Sequence, residues 1–357
     1  MVPEFLSFSI SLAVAVKKGE MQDEGIVRKK VLLAGLRRSG KTSIQRVVFT
    51  GMPAKDTLGL NCACTACTIS HPRSSFVGLQ LWDIPGHANL DLLGIDLSQL
   101  STLVFVIDAQ DDYTRAVTQL LQIIIRAYNA NKHVNIEIFV HKVDGLSDEY
   151  KLDTLRDIKS RVLDGLSDEE VVQGASQGAV QPQLSYHLTS IYDHSILDAF
   201  SQVVQKLARQ LPVIQNLLNV FCSNSGIAKA FIFEQNSRLY FATDSTIADA
   251  STFEVCVDAL DTFDKFSRLY RWEGDTVEKL EGEGGEESSP AQPATASIRL
   301  ANDLTIAKWQ MHQNLILIAL IRSDTYDRFK QSIDYNVTFV RDAIVDIVEM
   351  ERRGMRR

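Results

Sequence analysis

Gly35, Gly40, Lys41 and Thr42 lie in the stretch GLRRSGKTS at the spacing G-x-x-x-x-G-K-[ST]. That spacing suits a phosphate chain. Glycines let backbone N–H groups approach phosphate oxygens, a lysine reaches the β- and γ-phosphates, and a threonine hydroxyl ligates Mg²⁺. Arg38, Ser39, Gly40, Lys41, Thr42 and Ser43 are therefore the expected phosphate-binding residues, with Thr42 also on the metal. Three further short motifs follow in order. WDIPG carries Asp83 and Gly86 as D-x-x-G. There the aspartate is expected to meet Mg²⁺ through water, and the Gly86 amide to sense a γ-phosphate. HKVD carries His141, Lys142 and Asp144. A carboxylate at Asp144 is suited to accept from guanine N1 and N2, donors that adenine lacks at matching positions, while Lys142 lies along the ring and the phosphate loop. TSIYD carries Ser190 and Ile191, whose amides are expected to meet guanine O6. Each motif is weak alone. All four in this order point to a guanine-nucleotide site, and Asp144 together with the lack of a substrate-binding insertion counts against a P-loop kinase or ATPase.

The elements that must position these residues can be read around them. KKVLLAG before the first loop is a short apolar run and KTSIQRVVF after it has helical spacing, which gives the strand, glycine loop and helix the motif needs. SFVGLQLWD, TLVFVIDA, NIEIFVHKVD and LSYHLTS are further strands, and TRAVTQLLQIIIRAY and HSILDAFSQVVQKLARQL are amphipathic helices, the last ended by Pro212. Alternating strands and helices predict a mostly parallel sheet covered on both faces, with ligands at the carboxyl ends of its strands. After Pro212 the pattern changes. KAFIFEQNSRLYFATD reads as a hairpin, followed by a helix over about 250–270, the strands SIRLAN, LTIAKWQ and NLILIALIR, and a last helix over about 326–350. The fold class is thus α/β followed by an α+β module of the kind that dimerises. The expected domains are 28–213 and 214–357. An acidic stretch at 273–297, rich in Gly, Pro and Ser, has too few apolar residues to order itself.

The whole chain sets outer limits. It has 357 residues, 45% of them hydrophobic, and a net charge of −8, which argues against general affinity for nucleic acid. No apolar run reaches the ~18 residues of a membrane span. FLSFSISLAVAV near the N-terminus follows Glu4 rather than a basic residue and precedes no small-residue cleavage site, so residues 1–27 read as a poorly ordered extension. Val2 stands where myristoylation needs glycine and no C-terminal prenylation cysteine is present, so membrane residence is expected only through partners. Cys62, Cys64, Cys67 and His71 are zinc-ligating types, but a second knuckle at longer spacing is missing. The cluster reads as reduced residues in a loop.

The segments GLRRSGKTSIQRVVF, VIDAQDDY, HKVDGLSDEYKLDTLRDI, TSIYDHSI and NLLNVFCSNSGIAKAFIF resemble the Rag GTPases, C/D type, which include the Gtr-like subunits of fungi. The resemblance runs from about Val27 to Val345 and leaves out the N-terminal extension and the acidic stretch. It implies a Ras-like P-loop G domain and a roadblock/longin-like dimerisation domain. It also implies an obligate heterodimer with an A/B-type Rag subunit, joined through the C-terminal domain. Such a pair is cytoplasmic and is recruited to the vacuole or lysosome membrane by a Ragulator/EGO-type scaffold. There it relays amino-acid sufficiency to the target-of-rapamycin kinase complex, with the C/D-type subunit holding GDP in the activating state and GTPase-activating proteins speeding turnover. The implied ligands are GTP/GDP and Mg²⁺. His141 agrees with the subtype, which has histidine in place of the usual asparagine.

Three departures bear on catalysis. His87 follows DIPG where the subtype has the glutamine that orients the attacking water, so His87 is the candidate catalytic residue and low intrinsic hydrolysis is expected. Ala63 stands where an ungapped alignment puts the switch threonine that closes on Mg²⁺ and γ-phosphate. HANLDLLGIDLSQL is shorter than the family's second switch and differs in sequence. The alternative these departures raise is a subunit that holds nucleotide as a scaffold, with little or no GTPase cycle.

Overall fold

Short apolar runs bounded by charged or glycine-rich segments become strands, and runs with apolar residues three and four apart become helices. The computed structural model describes residues 28–60, 68–70, 78–86, 95–168, 182–247, 250–269, 295–312 and 314–355. They fall into two compact units, one of the residues up to Arg209 and from Glu349 on, the other spanning Gln210–Val348.

The first unit is built on a six-stranded sheet. Its strands are β1 (Lys29–Ala34), β2 (Thr68–Ser70), β3 (Leu79–Asp83), β4 (Leu100–Asp108), β5 (Asn135–His141) and β6 (Leu184–Thr189), in the order β2-β3-β1-β4-β5-β6. All pairings are parallel except β2 with β3. The sequence does not announce β2, because three residues are too short to show a period. β1 is the first strand and sits centrally, with β3 on one side and β4 on the other, so the chain reverses its direction of travel there. This is where open α/β sheets bind ligands.

Both faces of the sheet are covered. Leu32, Leu103, Phe105 and Ile138 join a core completed by Leu120, Ile123 and Ile124 of α2 (Thr114–Ala130) and by Ile158 and Val162 of α3 (Asp148–Asp168). On the other face Phe200 of α4 (Ser195–Leu207) lies edge-on to Phe139 of β5 and to Phe49 of α1 (Lys41–Thr50), with ring centroids 5.3 and 5.4 Å apart. Edge-to-face packing of this kind adds to the burial energy of the rings and fixes their orientation. It ties the helix that follows the glycine loop to the sheet.

The second unit is an antiparallel sheet with helices. Helix α5 (Leu211–Ser225) leads into β7 (Ile227–Glu234), β8 (Tyr240–Thr243), α6 (Ala250–Leu269), β9 (Thr295–Arg299), β10 (Leu304–His312), β11 (Leu315–Arg322) and α7 (Ser323–Met355). The sheet order is β8-β7-β11-β10-β9. Phe233 of β7 stacks on Phe253 of α6, and the Trp309 indole of β10 donates to Asp334 of α7 at 2.8 Å.

Two boundaries need correction. Pro212 was expected to end a helix running to Leu211; instead α4 stops at Leu207 and Pro212 opens α5. Proline suits a first helical turn, where its missing N–H costs no bond. The domain boundary expected after Val213 therefore falls inside α5. The stretch 273–297 was expected to be unordered throughout, but its last residues, Thr295–Ser297, belong to an edge strand in which Thr295–Arg299 pair with Thr305–Trp309. The N-terminal extension 1–27, Cys62, Ala63, Cys64, Cys67, His71, His87 and the rest of the acidic stretch lie outside the described residues.

Candidate functional site: a cleft at the carboxyl edge of the parallel sheet

The glycine loop links the end of β1 to the start of α1. Its glycines are there for space and for backbone geometry. Gly35 has φ 140° and a Cβ there would lie 2.3 Å from the Val106 carbonyl oxygen; Gly40 has φ 101° and a Cβ would lie 2.6 Å from the His141 ring. Both conformations are left-handed, where a side chain is strained. Gly40 is the residue before the first turn of α1, and having no side chain it leaves that helix without a side-chain cap. An uncapped helix N-terminus beside a glycine loop favours an anion.

Lys41 is 6% exposed, and its ammonium donates to the carbonyls of Gly35 and Leu36, each at 2.8 Å. The loop thus wraps its own cation. The Thr42 hydroxyl donates to Asp83 Oδ2 at 2.8 Å, joining the loop to the end of β3. Burial raises the Asp83 pKa, against the lowering effects of the Thr42 hydrogen bond and the Lys41 charge. A buried carboxylate beside a hydroxyl is a pair of hard oxygen donors, a set that suits Mg²⁺ when phosphate supplies the rest. Gly86 packs against the loop itself: a Cβ would come within 2.2 Å of the Arg37 nitrogen and 2.4 Å of the Leu36 carbonyl carbon. D-x-x-G and the glycine loop are therefore in backbone contact.

The HKVD residues sit at the end of β5. His141 is 1% exposed and its Nδ1 is 3.0 Å from the Thr189 hydroxyl of β6. Burial, helped by the Lys142 charge, pushes its pKa down to about 4, so the ring is neutral at physiological pH. A neutral ring can lie against Gly40 without repelling the cations of the loop. Lys142 has φ 63°, and its ammonium pairs with Asp108 of β4 and donates to the Arg38 carbonyl at 2.9 Å. Asp144 accepts from the Ser190 hydroxyl at 2.6 Å.

The structure corrects one expected contact. The Ser190 amide was assigned to a base carbonyl, but it donates to the Ser195 hydroxyl at 2.8 Å. Ser190 is fully buried. Its side chain orients Asp144, and Ile191 is the residue of the pair that reaches the cleft.

Arg38, Gly40, Lys41, Thr42, Ser43, His141, Lys142, Asp144 and Ile191 line one cleft of about 730 Å³. Of the remaining expected residues, Ser39, Asp83 and Ser190 are buried around it and Gly86 packs on the loop. The cleft also has walls outside the motifs, Thr57, Leu58, Leu60 and Gln110, and one inside TSIYD that had been given no role, Tyr192. The Gln110 amide donates to the Lys142 carbonyl at 2.8 Å. Asp108 was also missed, although it ends a strand as Asp83 does and the same positional rule applies to it. One end of the cleft offers a helix N-terminus with a buried lysine, and the other offers an oriented carboxylate. That polarity fits a molecule with an anionic tail and a hydrogen-bond-donating head.

Comparison with known proteins agrees with this geometry. Residues 30–260 match the family model of the Gtr1/RagA G protein conserved region. Ras-related GTP-binding protein D of Mus musculus is 42% identical over 331 residues, covering 92% of this chain and 70% of the mouse protein. GTP-binding protein gtr2 of Schizosaccharomyces pombe is 42% identical over 323 residues, covering 89% and 98%. Ras-related GTP-binding protein C of Homo sapiens is 41% identical over 327 residues, covering 90% and 77%. With a parallel sheet carrying the P-loop and an antiparallel sheet-and-helix unit after it, the chain belongs to the Rag family of GTP-binding proteins, C/D type.

Proposed function

We propose that this chain is the guanine-nucleotide-binding switch subunit of a Rag-type heterodimer, with GTP or GDP held in the cleft at the carboxyl edge of the parallel sheet. The observation that carries the reading is the convergence of Lys41, Thr42, Asp83, Lys142 and Asp144 from three separate segments around one cleft. The α1 N-terminus and Lys41 bind the phosphates. Lys41 exchanges the Gly35 and Leu36 carbonyls for phosphate oxygens as the nucleotide enters. Asp144, held by Ser190, accepts from guanine N1 and N2, and the Ile191 amide donates to O6. Thr42 and Asp83 hold Mg²⁺, which when bound neutralises phosphate charge.

Intrinsic hydrolysis is slow in this reading, because His87 replaces the glutamine that orients water and a GTPase-activating protein supplies the missing catalysis. The partner is an A/B-type Rag subunit bound through the C-terminal unit. The pair is cytoplasmic and reaches the vacuole or lysosome surface through a Ragulator/EGO-type scaffold, where it relays amino-acid sufficiency to the target-of-rapamycin kinase complex. These assignments rest on the resemblance and on family membership. The Mg²⁺ assignment is tested by nucleotide release. EDTA is expected to speed GDP loss from the wild type, and Thr42→Asn to weaken GTP more than GDP. Release indifferent to EDTA would remove Thr42 and Asp83 from the metal site.

A further inference from the structure

Tyr192 stands apart from the rest of the cleft. It follows the TSI of the β6–α4 turn, lines the cleft, and is 55% exposed. An aromatic ring left open at a cleft mouth buries little surface in the folded chain. Its backbone, in contrast, is fixed. The Tyr192 amide donates to the Ser190 hydroxyl oxygen at 3.1 Å, and the same hydroxyl donates to Asp144 at 2.6 Å. One serine oxygen therefore sets the positions of both the carboxylate and the residue bearing the ring. Lys142 also lines the cleft. Its ammonium is held by Asp108 and the Arg38 carbonyl, so its methylene stem is drawn out between the end of β5 and the glycine loop.

We propose that Tyr192 is a base-binding residue: its ring covers one face of the nucleobase held by Asp144, and the Lys142 stem lines the other. This rests on the nucleotide reading above and gives a role to the tyrosine of TSIYD, to which the motif itself assigned none. The chemistry is the stacking of a planar heterocycle on an aromatic face. It is insensitive to which purine is present, so Tyr192 contributes affinity and residence time while Asp144 supplies selectivity.

The test uses the full chain and a fluorescent GDP analogue, with inorganic tripolyphosphate as a ligand that has no base. Tyr192→Ala is expected to speed GDP release by about 5- to 100-fold. Tyr192→Phe should stay within about twofold of the wild type, because stacking needs the ring and not the hydroxyl. Tripolyphosphate affinity should be the same in all three proteins, which a general loss of fold would not allow. Wild-type release rates in Tyr192→Ala, with GDP still bound, would overturn the inference and leave the nucleotide reading intact. A parallel loss of GDP and tripolyphosphate binding would also overturn it, showing that Tyr192 supports the turn and does not cover the base. Failure of the wild type to bind GDP at all would overturn both.

Discussion

Asp144 and His141 stand three residues apart at the end of β5 and do different work. Asp144 is oriented by a serine hydroxyl and lines the cleft. Asn at this position presents a donor where the carboxylate accepts. Asp144→Asn is therefore expected to weaken GDP binding by roughly 10²–10⁴-fold and to favour xanthosine diphosphate. Unchanged GDP affinity, read by titration calorimetry, would contradict the base assignment. His141 is held neutral by burial, with a pKa of about 4 against an ordinary 6.5. The folded state therefore binds fewer protons than the unfolded state between those values. Its contribution is complete above pH 6.5 and is lost as pH falls towards 4, a total of roughly 3 kcal/mol from this one ring. His141→Asn has no titrating ring, so its stability should fall less steeply than the wild type's over that window. Parallel denaturation curves at pH 7, 6 and 5 would show that the ring is not the cause.

At the scale of the elements, the site depends on close backbone approach. Gly86→Ala places a methyl group against the Leu36–Arg37 backbone, so the glycine loop must move. Nucleotide affinity should drop while circular dichroism stays as in the wild type; full affinity would mean that the loop tolerates displacement. Phe200 lies between Phe49 and Phe139, and Phe200→Ala should cost about 3–5 kcal/mol in chemical denaturation. A loss under 1 kcal/mol would mean that α1 and α4 are held by other contacts.

The same elements explain what could be read beforehand. The parallel strands and the amphipathic α2 and α4 were legible because burial on both faces leaves continuous apolar runs, and one-sided burial leaves a 3.6-residue period. The four motifs were legible because phosphate and guanine limit which residue types serve. Asp108 and Gln110 were not, since their roles come from segments that meet only after folding; Tyr192 stands inside TSIYD, but its exposure at the cleft shows only in the fold. The Ser190 amide was misassigned for a related reason: its partner, Ser195, belongs to the helix start that follows, and no spacing rule connects them. Pro212 was read as a stop because proline marks both ends of helices, and which end depends on the apolar residues after it.

For the whole molecule, an α/β unit and an antiparallel sheet-and-helix unit divide the labour in the proposed account: the first holds nucleotide and the second holds the partner. Among the described residues, no helix is long and apolar enough to cross a membrane. Co-expressed with an A/B-type subunit, the chain is expected to elute with it as a single species. Separate elution at micromolar concentration would count against the heterodimer. Bound GDP should raise the melting temperature of the nucleotide-holding unit with ligand concentration, as mass action requires. The central claim is the guanine-nucleotide site itself, and its most direct test is to purify the chain quickly with Mg²⁺ and its partner, denature it, and identify the released nucleotide by chromatography. The account predicts near-stoichiometric GDP or GTP from this subunit, with the guanine nucleotide gone from the Asp144→Asn variant. An intact heterodimer whose subunit releases no guanine nucleotide would contradict it.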